Sequence, residues 1–327
     1  MLKNHQIRPV TSKSSGPFNI KGLYLGQGNQ ALEILLCESK VIPNSTSIRS
    51  IWKQRKGNRA SPLLTLVIFN SKAFICGPTG EDAPVYKNLD LGQVERICNE
   101  ALGLPDRHTV LRYLRDVLPA VESKLSGIRN EGFLATNELL NGVPQRPDWI
   151  DARSKAKNAF NKSGKLLLAK LGFNIDRHDQ ATSILKTDDK KMAVAVLLEN
   201  YESPELSSER FTNLTPVSYA LHVADQERLP YVIIVQENKI RLYPVDSAKG
   251  VGRRGRTETF IEVHTGLLTE DMSAYLWLIF SSEALLPSGS LDNLLEDSRR
   301  FSGELAKALR ERIYNDVIPQ LCKGIVA

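Results

Sequence analysis

The chain has 327 residues, 42% of them hydrophobic, and its formal net charge is +6 at pH 7. This length is typical of about two domains. No apolar run approaches the ~18 residues of a membrane-spanning helix, so we expect no membrane partner. The N-terminus lacks the hydrophobic segment of a signal peptide. The four cysteines have no CxxC spacing, which indicates reduced thiols rather than a zinc site, and we expect a cytoplasmic protein.

The positive charge is concentrated near the N-terminus. Residues 1–60 contain ten Lys and Arg residues against Glu33 and Glu38, a net charge of +8, so the rest of the chain carries about −2 (6 minus 8). A basic arm on an otherwise balanced body is typical of attraction to nucleic acid. A solvated, partly disordered tail is the alternative explanation of the same charge.

A small α/β domain is predicted for residues 21–126, after a loose basic tail at residues 1–20. Its clearest elements are two strands and two helices, at Leu63 to Phe69, Ala73 to Cys76, Leu91 to Leu102 and Thr109 to Ser123. The strands are apolar and separated by a short polar turn, as in a hairpin. Arg107, Arg112 and Arg115 give the second helix a basic side.

Residues 150–265 alternate between helix and strand, which is typical of an α/β domain; the proline-containing residues 127–149 before them are predicted to be an irregular connector. The predicted elements are helix Ala156 to Leu171, strands Thr182 to Leu185 and Met192 to Leu198, a helix capped by Thr215, and paired strands Tyr231 to Val235 and Ile240 to Tyr243. The order helix, strand, strand, helix, strand resembles the core of PD-(D/E)xK nucleases, at the level of fold alone.

A nuclease of that kind holds Mg²⁺ with an acid at the end of one strand and a Glu-x-Lys motif on the next. The candidate acids are Asp188 or Asp189, in the turn before the long apolar strand, and Glu199 at its end, with Glu199 and Asp188 as metal ligands. Tyr201 stands where the motif has Lys. The sequence therefore favours a nuclease-like fold kept for DNA binding or docking, and an active Mg²⁺-dependent nuclease is the alternative.

Two groups of basic residues are candidates for contact with double-stranded DNA: Arg253, Arg254 and Arg256 in a glycine-rich loop, and Lys155, Lys162 and Lys165 around the first helix of the central domain. Arginine forms bidentate contacts with phosphate, and glycines leave a backbone free to approach it. No acidic residue lies among the three arginines in the sequence. An exposed loop with solubilising charge is the alternative.

Residues 266–327 are predicted to form a helical connector shaped as a hairpin. An apolar helix at residues 270–286 is followed, after Pro287 to Gly289, by a long amphipathic helix. We expect Phe301, Leu305, Leu309 and Ile313 to form a docking surface for a methyltransferase domain or partner chain, with full burial in the same chain as the alternative. The sequence shows no internal repeat.

Several segments together resemble one family: EGFLATNELLNGVPQRPDW, AVAVLLENYE, RFTNLTPVSYALHVADQERLPYVIIV, KIRLYP, GVGRRGRTETFIE and AYLWLIFSSEALLPSGSLDNLLEDSRRFSGELAKALRERIYNDVIPQL. Over roughly residues 60–327 the chain is similar to the N-terminal region of very large prokaryotic adenine-N6 DNA methyltransferases. These belong to Type IIG restriction–modification and DISARM- or BREX-like phage-defence systems. The resemblance implies a nuclease-like N-terminal domain, a helical connector and then a methyltransferase domain.

The chain departs from that family in its chemistry. It has no Asn-Pro-Pro-Tyr-type tetrapeptide and no Phe-x-Gly-x-Gly loop for S-adenosylmethionine. The resemblance therefore implies that S-adenosylmethionine binds a partner or a domain outside this chain. We expect a DNA-binding and scaffolding module of such a system, with no cofactor of its own. The alternative is a Mg²⁺-dependent endonuclease with a degenerate site.

Overall fold

The computed structural model describes residues 7–8, 14–27, 31–57, 60–78, 80, 82–252 and 254–318, with residues 7, 8, 14, 15 and 316 described by their backbone alone. The chain divides into two compact units. Unit 1 comprises residues 1–127 and 266–269, and unit 2 comprises residues 128–265 and 270–327. Each unit is built around a mixed β-sheet, which confirms the α/β class predicted from the sequence.

Unit 1 contains seven strands and three helices in its described part. They are β1 Ile7–Arg8, β2 Ser14–Ser15, β3 Phe18–Leu25, β4 Glu33–Ser39, α1 Ser45–Lys56, β5 Leu63–Phe69, β6 Lys72–Cys76, β7 Val85–Asp90, α2 Leu91–Gly103 and α3 Arg107–Val121. The predicted hairpin and both predicted helices are confirmed. β1, β2 and the start of β3 lie within residues 1–20, where the sequence predicted a loose tail.

The sheet of unit 1 has the order β1-β3-β4-β5-β6-β7 and is covered on both faces. One face packs against Ile48, Ile51 and Trp52 of α1. The other packs against the apolar sides of α2 and α3. Asn44 and Asp106 accept hydrogen bonds from the first-turn N–H groups of α1 and α3, as N-cap residues do.

Unit 2 contains seven strands and five α-helices in its described part. They are β8 Ile128–Glu131, α4 Trp149–Ala156, α5 Gly164–Lys170, β9 Asn174–Arg177, β10 Thr182–Thr187, β11 Lys190–Leu198, α6 Pro216–Glu227, β12 Tyr231–Gln236, β13 Lys239–Pro244, β14 Phe260–His264, α7 Ala274–Phe280 and α8 Ser290–Arg312. A π-helical turn, Ile313–Val317, continues α8.

The sheet of unit 2 has the order β8-β14-β13-β12-β11-β10-β9. β11 and β12 are parallel and joined by α6, and their burial on both faces matches their unbroken apolar sequences. The Thr215 hydroxyl accepts a hydrogen bond from the Ser218 N–H over 3.1 Å, so the predicted helix cap is confirmed. The buried residues of α6 face β11 and β12.

The two sheets share one topology, which the sequence did not reveal. In unit 1, β1, β3 and β4 are successively antiparallel, α1 crosses over to the parallel strand β5, and β6 and β7 follow antiparallel. In unit 2, β9, β10, β11, α6, β12, β13 and β14 repeat the same relations. Only β2 and β8 stand outside this common pattern in the described part of the chain.

Three predicted segments of unit 2 differ in the structure. The predicted connector, residues 127–149, contributes β8 to the sheet, and Trp149 at its end packs edge-on against Tyr275 with ring centroids 5.1 Å apart. Of the predicted helix Ala156 to Leu171, only α5 is helical: α4 ends at Ala156, residues 157–163 are a non-helical connection, and Gly164 begins α5 with φ +56°, outside the right-handed helical region. The predicted apolar helix at residues 270–286 is shortened to α7.

Candidate nucleic-acid interface

The glycine-rich loop between β13 and β14 packs against the bend after β8. The N–H groups of Val251 and Gly252 donate hydrogen bonds to the Gly132 carbonyl oxygen over 3.0 and 2.9 Å. A Cβ atom on Gly250 would lie 2.9 Å from the same oxygen, and one on Gly252 would lie 3.0 Å from the Gly132 Cα. These glycines therefore permit a close backbone contact within unit 2, a different role from the approach to phosphate that the sequence suggested.

The arginines of this loop have acidic partners from distant parts of unit 2. Arg254 forms an ion pair with Glu131 of β8. Arg256 forms one with Asp225 of α6, over 2.9 Å. Arg253 lies outside the described residues. The expectation that the arginines have no acid nearby was therefore wrong for Arg254 and Arg256, because β8 and α6 bring the carboxylates to them.

These two ion pairs are exposed enough to be exchanged for other partners. Hydrogen bonds from Arg129 and Arg254 lower the pKa of Glu131, so the carboxylate stays ionised. Exposed ion pairs of this kind contribute only about 0–1 kcal/mol to stability. A phosphate can replace either carboxylate at little cost, but the loop is not a cluster of uncompensated charge.

The three predicted lysines fall into two groups. Lys155 pairs with Glu283 over 2.9 Å and with Asp151 over 3.2 Å. Lys162, in the turn between α4 and α5, and Lys165, in the first turn of α5, are exposed. Neither side chain forms a hydrogen bond or ion pair with any described residue. Lys162 and Lys165 are thus the predicted DNA contacts whose charge is uncompensated in the described structure.

The predicted nuclease acids do not come together. Asp188 and Asp189 form the turn that joins β10 to β11, with φ of 44° and 64°. Glu199 directly follows Leu198, at the opposite end of β11. Nine extended residues span about 30 Å at ~3.3 Å per residue. Asp188 and Glu199 therefore cannot share a metal ion, and this predicted metal site is corrected.

Glu199 instead begins a loop that is fastened to the carboxyl ends of β11 and β12. The Glu202 carboxylate accepts hydrogen bonds from the Glu199 N–H over 2.8 Å and from Arg210 over 2.6 Å. The Gln236 side-chain amide donates to the carbonyl oxygens of Glu199 and Glu202 over 2.9 and 2.7 Å. Tyr201, which stands where the nuclease motif has Lys, is 87% exposed. The polar groups of this loop hold its own backbone in place.

On the β10 side of the sheet, Asp179 lies towards the Glu199 end of β11, because it precedes β10, whose Thr182 pairs with Val196. Its carboxylate accepts hydrogen bonds from the N–H groups of Ala181 and Thr182 over 2.7 and 2.6 Å, and from the Thr182 hydroxyl over 2.7 Å. The Tyr219 hydroxyl donates a further hydrogen bond over 3.2 Å. These bonds occupy the carboxylate in stabilising a turn.

A buried arginine was missed by the sequence analysis. Arg241 of β13 is 7% exposed and pairs with Glu205 and Glu262, each over 2.6 Å. It also donates to the Tyr243 hydroxyl over 2.8 Å and lies 4.3 Å from the centroid of the Phe260 ring. The available signal was an arginine on an otherwise apolar strand, KIRLYP. This network fastens the loop after β11 to β13 and β14.

Within the described residues, no group of three or more His, Cys, Asp or Glu side chains is placed to hold a metal ion. Among the same residues, no helix is both long and apolar enough to cross a membrane. No protein-family model, curated protein or solved structure matches the chain.

Proposed function

We propose that the chain is a DNA-binding and scaffolding module of a restriction–modification or phage-defence DNA methyltransferase system. The order of α5, β10, β11, α6 and β12 supports this, because it is the helix, strand, strand, helix, strand order expected from the sequence, with β9 as an additional strand after α5. The separation of Asp188 from Glu199 favours binding over cleavage. S-adenosylmethionine chemistry belongs to a partner in this proposal.

The uncompensated charge of Lys162 and Lys165 carries the DNA-binding half of the proposal. Both side chains are exposed and lie close in sequence, on the turn before α5 and in its first turn. Lysines without an acidic partner keep their full charge for phosphate, and each phosphate contact releases condensed counterions from the duplex. The surface is suited to sequence-independent contact with the DNA backbone.

A salt series on a fluorescein-labelled duplex tests this half. We expect the full chain to bind with an affinity that falls steeply with NaCl concentration, and Lys162→Ala/Lys165→Ala to reduce the slope of log K against log salt by about 2. The matched control Lys239→Ala/Lys307→Ala removes two exposed lysines elsewhere in unit 2 and should leave the slope unchanged. A wild-type chain that does not bind duplex DNA at low salt would refute the proposal.

The scaffolding half concerns the distal part of α8. Leu291, Leu294 and Leu295 at its start are buried in unit 2. Farther along, Leu305, Leu309 and Ile313 are 59%, 58% and 42% exposed, whereas Phe301 is half-buried. Three of the four residues expected from the sequence are therefore accessible. At ~100° per residue, Arg310 and Arg312 lie on either side of this apolar stripe. Neither arginine has a partner among the described residues.

An apolar stripe with basic borders fits an amphipathic helix with acidic borders. We propose that the methyltransferase domain or subunit supplies that helix. An adenine-N6 methyltransferase encoded beside this chain and co-expressed with it should co-purify with the wild type and be lost on Leu305→Glu/Leu309→Glu. Dimerisation of the chain alone, abolished by the same substitutions, would assign the stripe to a second copy and contradict this part of the proposal.

A further inference from the structure

Helix α3 of unit 1 presents an arginine-rich face to solvent. Its apolar side, formed by Val110, Leu114, Val117, Leu118 and Val121, is buried. Arg107, Arg112 and Arg115 are exposed on the remaining surface. At 3.6 residues per turn, Arg112 and Arg115 are neighbours on the helix, and Arg107 lies on the adjoining quadrant. The basic side noted in the sequence is therefore real and accessible in unit 1.

The three arginines differ from the other arginines of unit 1 whose side chains the structure describes. Arg49 donates to the Ala83 carbonyl oxygen, Arg55 pairs with Glu33, and Arg96 donates to the carbonyl oxygens of Gly266 and Leu268. Arg107, Arg112 and Arg115 have no hydrogen bond or ion pair with any described residue. Uncompensated guanidinium groups are thus concentrated on one helix of the unit.

The acids on α3 do not neutralise this face. The Asp106 carboxylate, which caps the helix, accepts hydrogen bonds from the His108 and Thr109 N–H groups over 2.8 and 3.0 Å and from the Thr109 hydroxyl over 2.6 Å. These bonds lower the pKa of Asp106 and direct its charge towards the helix N-terminus. Asp116 follows Arg112 by four residues but makes no ion pair with any residue that the structure describes.

We propose that Arg107, Arg112 and Arg115 form a second phosphate-contact surface for duplex DNA, separate from Lys162 and Lys165. This rests on the proposed DNA-binding function and extends it to unit 1. At a rise of 1.5 Å per residue, the eight steps from Arg107 to Arg115 span about 12 Å. That length matches about three or four phosphates of one strand, which are spaced ~3.4 Å apart along the duplex axis. Each planar guanidinium group can bind a phosphate through two hydrogen bonds.

The same face is poorly suited to an acidic protein partner. Specific protein interfaces place large apolar or aromatic anchors at their centre. No large apolar side chain of α3 is exposed, and Tyr113 packs partly against the core of unit 1. A surface of charge without anchors gains most of its affinity from counterion release, which a duplex provides and a small acidic peptide does not.

The test compares the wild type and three full-length variants on the same labelled duplex over a NaCl series. We expect Arg107→Ala/Arg112→Ala/Arg115→Ala to lower the slope of log K against log salt by about 2 to 3, one contact per arginine. The control, Lys40→Ala/Lys72→Ala/Lys87→Ala, removes three exposed cations from elsewhere in unit 1 and should leave the slope unchanged. The triple lysine variant Arg107→Lys/Arg112→Lys/Arg115→Lys should recover most of the slope, because it restores the charge.

The outcomes of the salt series distinguish the proposal for the α3 arginines from the broader proposal that the chain binds DNA. If the wild type binds DNA and the arginine-to-alanine variant keeps its slope, the α3 surface is refuted and DNA binding by unit 2 stands. If the wild type does not bind, both proposals fail. Competition by poly-L-glutamate as effective as that of DNA, at equal charge concentration, would refute a duplex as the partner and point to an acidic protein surface. Circular dichroism of each variant should be that of the wild type.

Discussion

Arg241 places a positive charge in the interior of unit 2, where its partners decide its effect. Burial acts to lower the pKa of Arg241, but the charge of Glu262 and the hydrogen bonds to Glu205 and Tyr243 raise it overall, so the guanidinium remains charged. A buried charge is tolerated when every partner is present and becomes costly when one is removed. The network therefore ties side chains of β13, β14 and the loop after β11 to a single residue.

Replacing Arg241 alone should be strongly destabilising. Arg241→Met leaves Glu262 and the buried Tyr243 hydroxyl without their donor, and the free energy of unfolding should fall by about 3–5 kcal/mol. The double variant Arg241→Met/Glu262→Leu removes the orphaned carboxylate and should recover much of that loss. Urea unfolding of both variants provides the measurement. Additive losses in the double variant would contradict a coupled buried network.

His264 makes the stability of unit 2 depend on pH. Burial lowers the pKa of its imidazole to about 4, whereas an exposed histidine titrates near ~6.5. The unfolded chain thus binds a proton at a pH where the folded chain does not. Stability from the neutral imidazole is present above pH ~6.5 and is lost as the pH falls from there towards about 4.

Between pH 7 and pH 5, this histidine should reduce the free energy of unfolding by about 2 kcal/mol. His264→Phe keeps an aromatic ring and cannot take up the proton, so its unfolding free energy should decrease less over the same interval. The measurement is urea unfolding at both pH values. Equal pH dependence in the two proteins would show that His264 does not titrate on unfolding.

Residue-level predictions from the sequence failed where the partner came from far along the chain. The exposure of Lys162 and Lys165 could be predicted because the spacing of charged and apolar residues in a short stretch of sequence indicates which side chains face solvent. The partners of Arg254 and Arg256 lie 123 and 31 residues away, on β8 and α6. Only the folded sheet brings those carboxylates to the loop, so no local pattern indicates the pairing.

At the level of elements, the length of β11 determines whether the predicted acids can share a metal ion. The sequence predicted the strand as Met192 to Leu198 and the structure has it as Lys190–Leu198, so its C-terminal end was correct and its start is two residues earlier. An extended strand of either length places Asp188 and Glu199 far apart. The geometry of an extended strand therefore excludes a metal ion shared by Asp188 and Glu199. The strand β9 was missed because its side chains are mostly exposed, so it lacks an apolar pattern.

This separation predicts that the chain does not cleave DNA by the proposed nuclease site. Incubation of the full chain with supercoiled plasmid and Mg²⁺ or Mn²⁺ should leave the plasmid intact. Any trace of cleavage that copurifies with the protein should be unaffected by Glu199→Ala or Asp188→Ala. Cleavage that both substitutions abolish would restore the nuclease alternative and contradict the distance along β11.

Two glycines in the loop between β13 and β14 provide a test and a control for the close backbone contact with Gly132. Gly250 has φ +122°, and a Cβ there would lie 2.9 Å from the Gly132 carbonyl oxygen. Gly255→Ala is the control, because a Cβ at Gly255 meets no atom within 4 Å. We expect Gly250→Ala to destabilise the protein by about 1–3 kcal/mol and Gly255→Ala by far less. Thermal unfolding measures both, and equal melting temperatures would contradict the close backbone contact.

At the scale of the whole molecule, the shared topology of the two sheets could not be recognised from the sequence. Asn44 caps α1 and Thr215 caps α6, so equivalent positions carry different residues with the same hydrogen-bonding role. The β5–β6 and β12–β13 turns likewise use Asn70 and Ser71 in one unit and Glu237 in the other at positive φ. Burial pattern and strand pairing define the topology, and these tolerate wide changes of residue identity.

Unit 1 is not continuous in sequence, since residues 266–269 complete it after the chain has passed through β14. Leu267 joins its hydrophobic core. The Leu267 carbonyl oxygen accepts hydrogen bonds from the buried amide of Gln93 and, over 3.1 Å, from the Ser126 hydroxyl. Within residues 1–127 the Gln93 amide can donate to the Ser126 hydroxyl oxygen, over 2.6 Å, but during translation the carbonyl oxygen of Leu267 that both side chains donate to has not yet been made. Every strand of unit 2 leaves the ribosome before Leu267 arrives, so unit 1 can close only after the whole sheet of unit 2 has been synthesised, and α7 and α8 of unit 2 follow it.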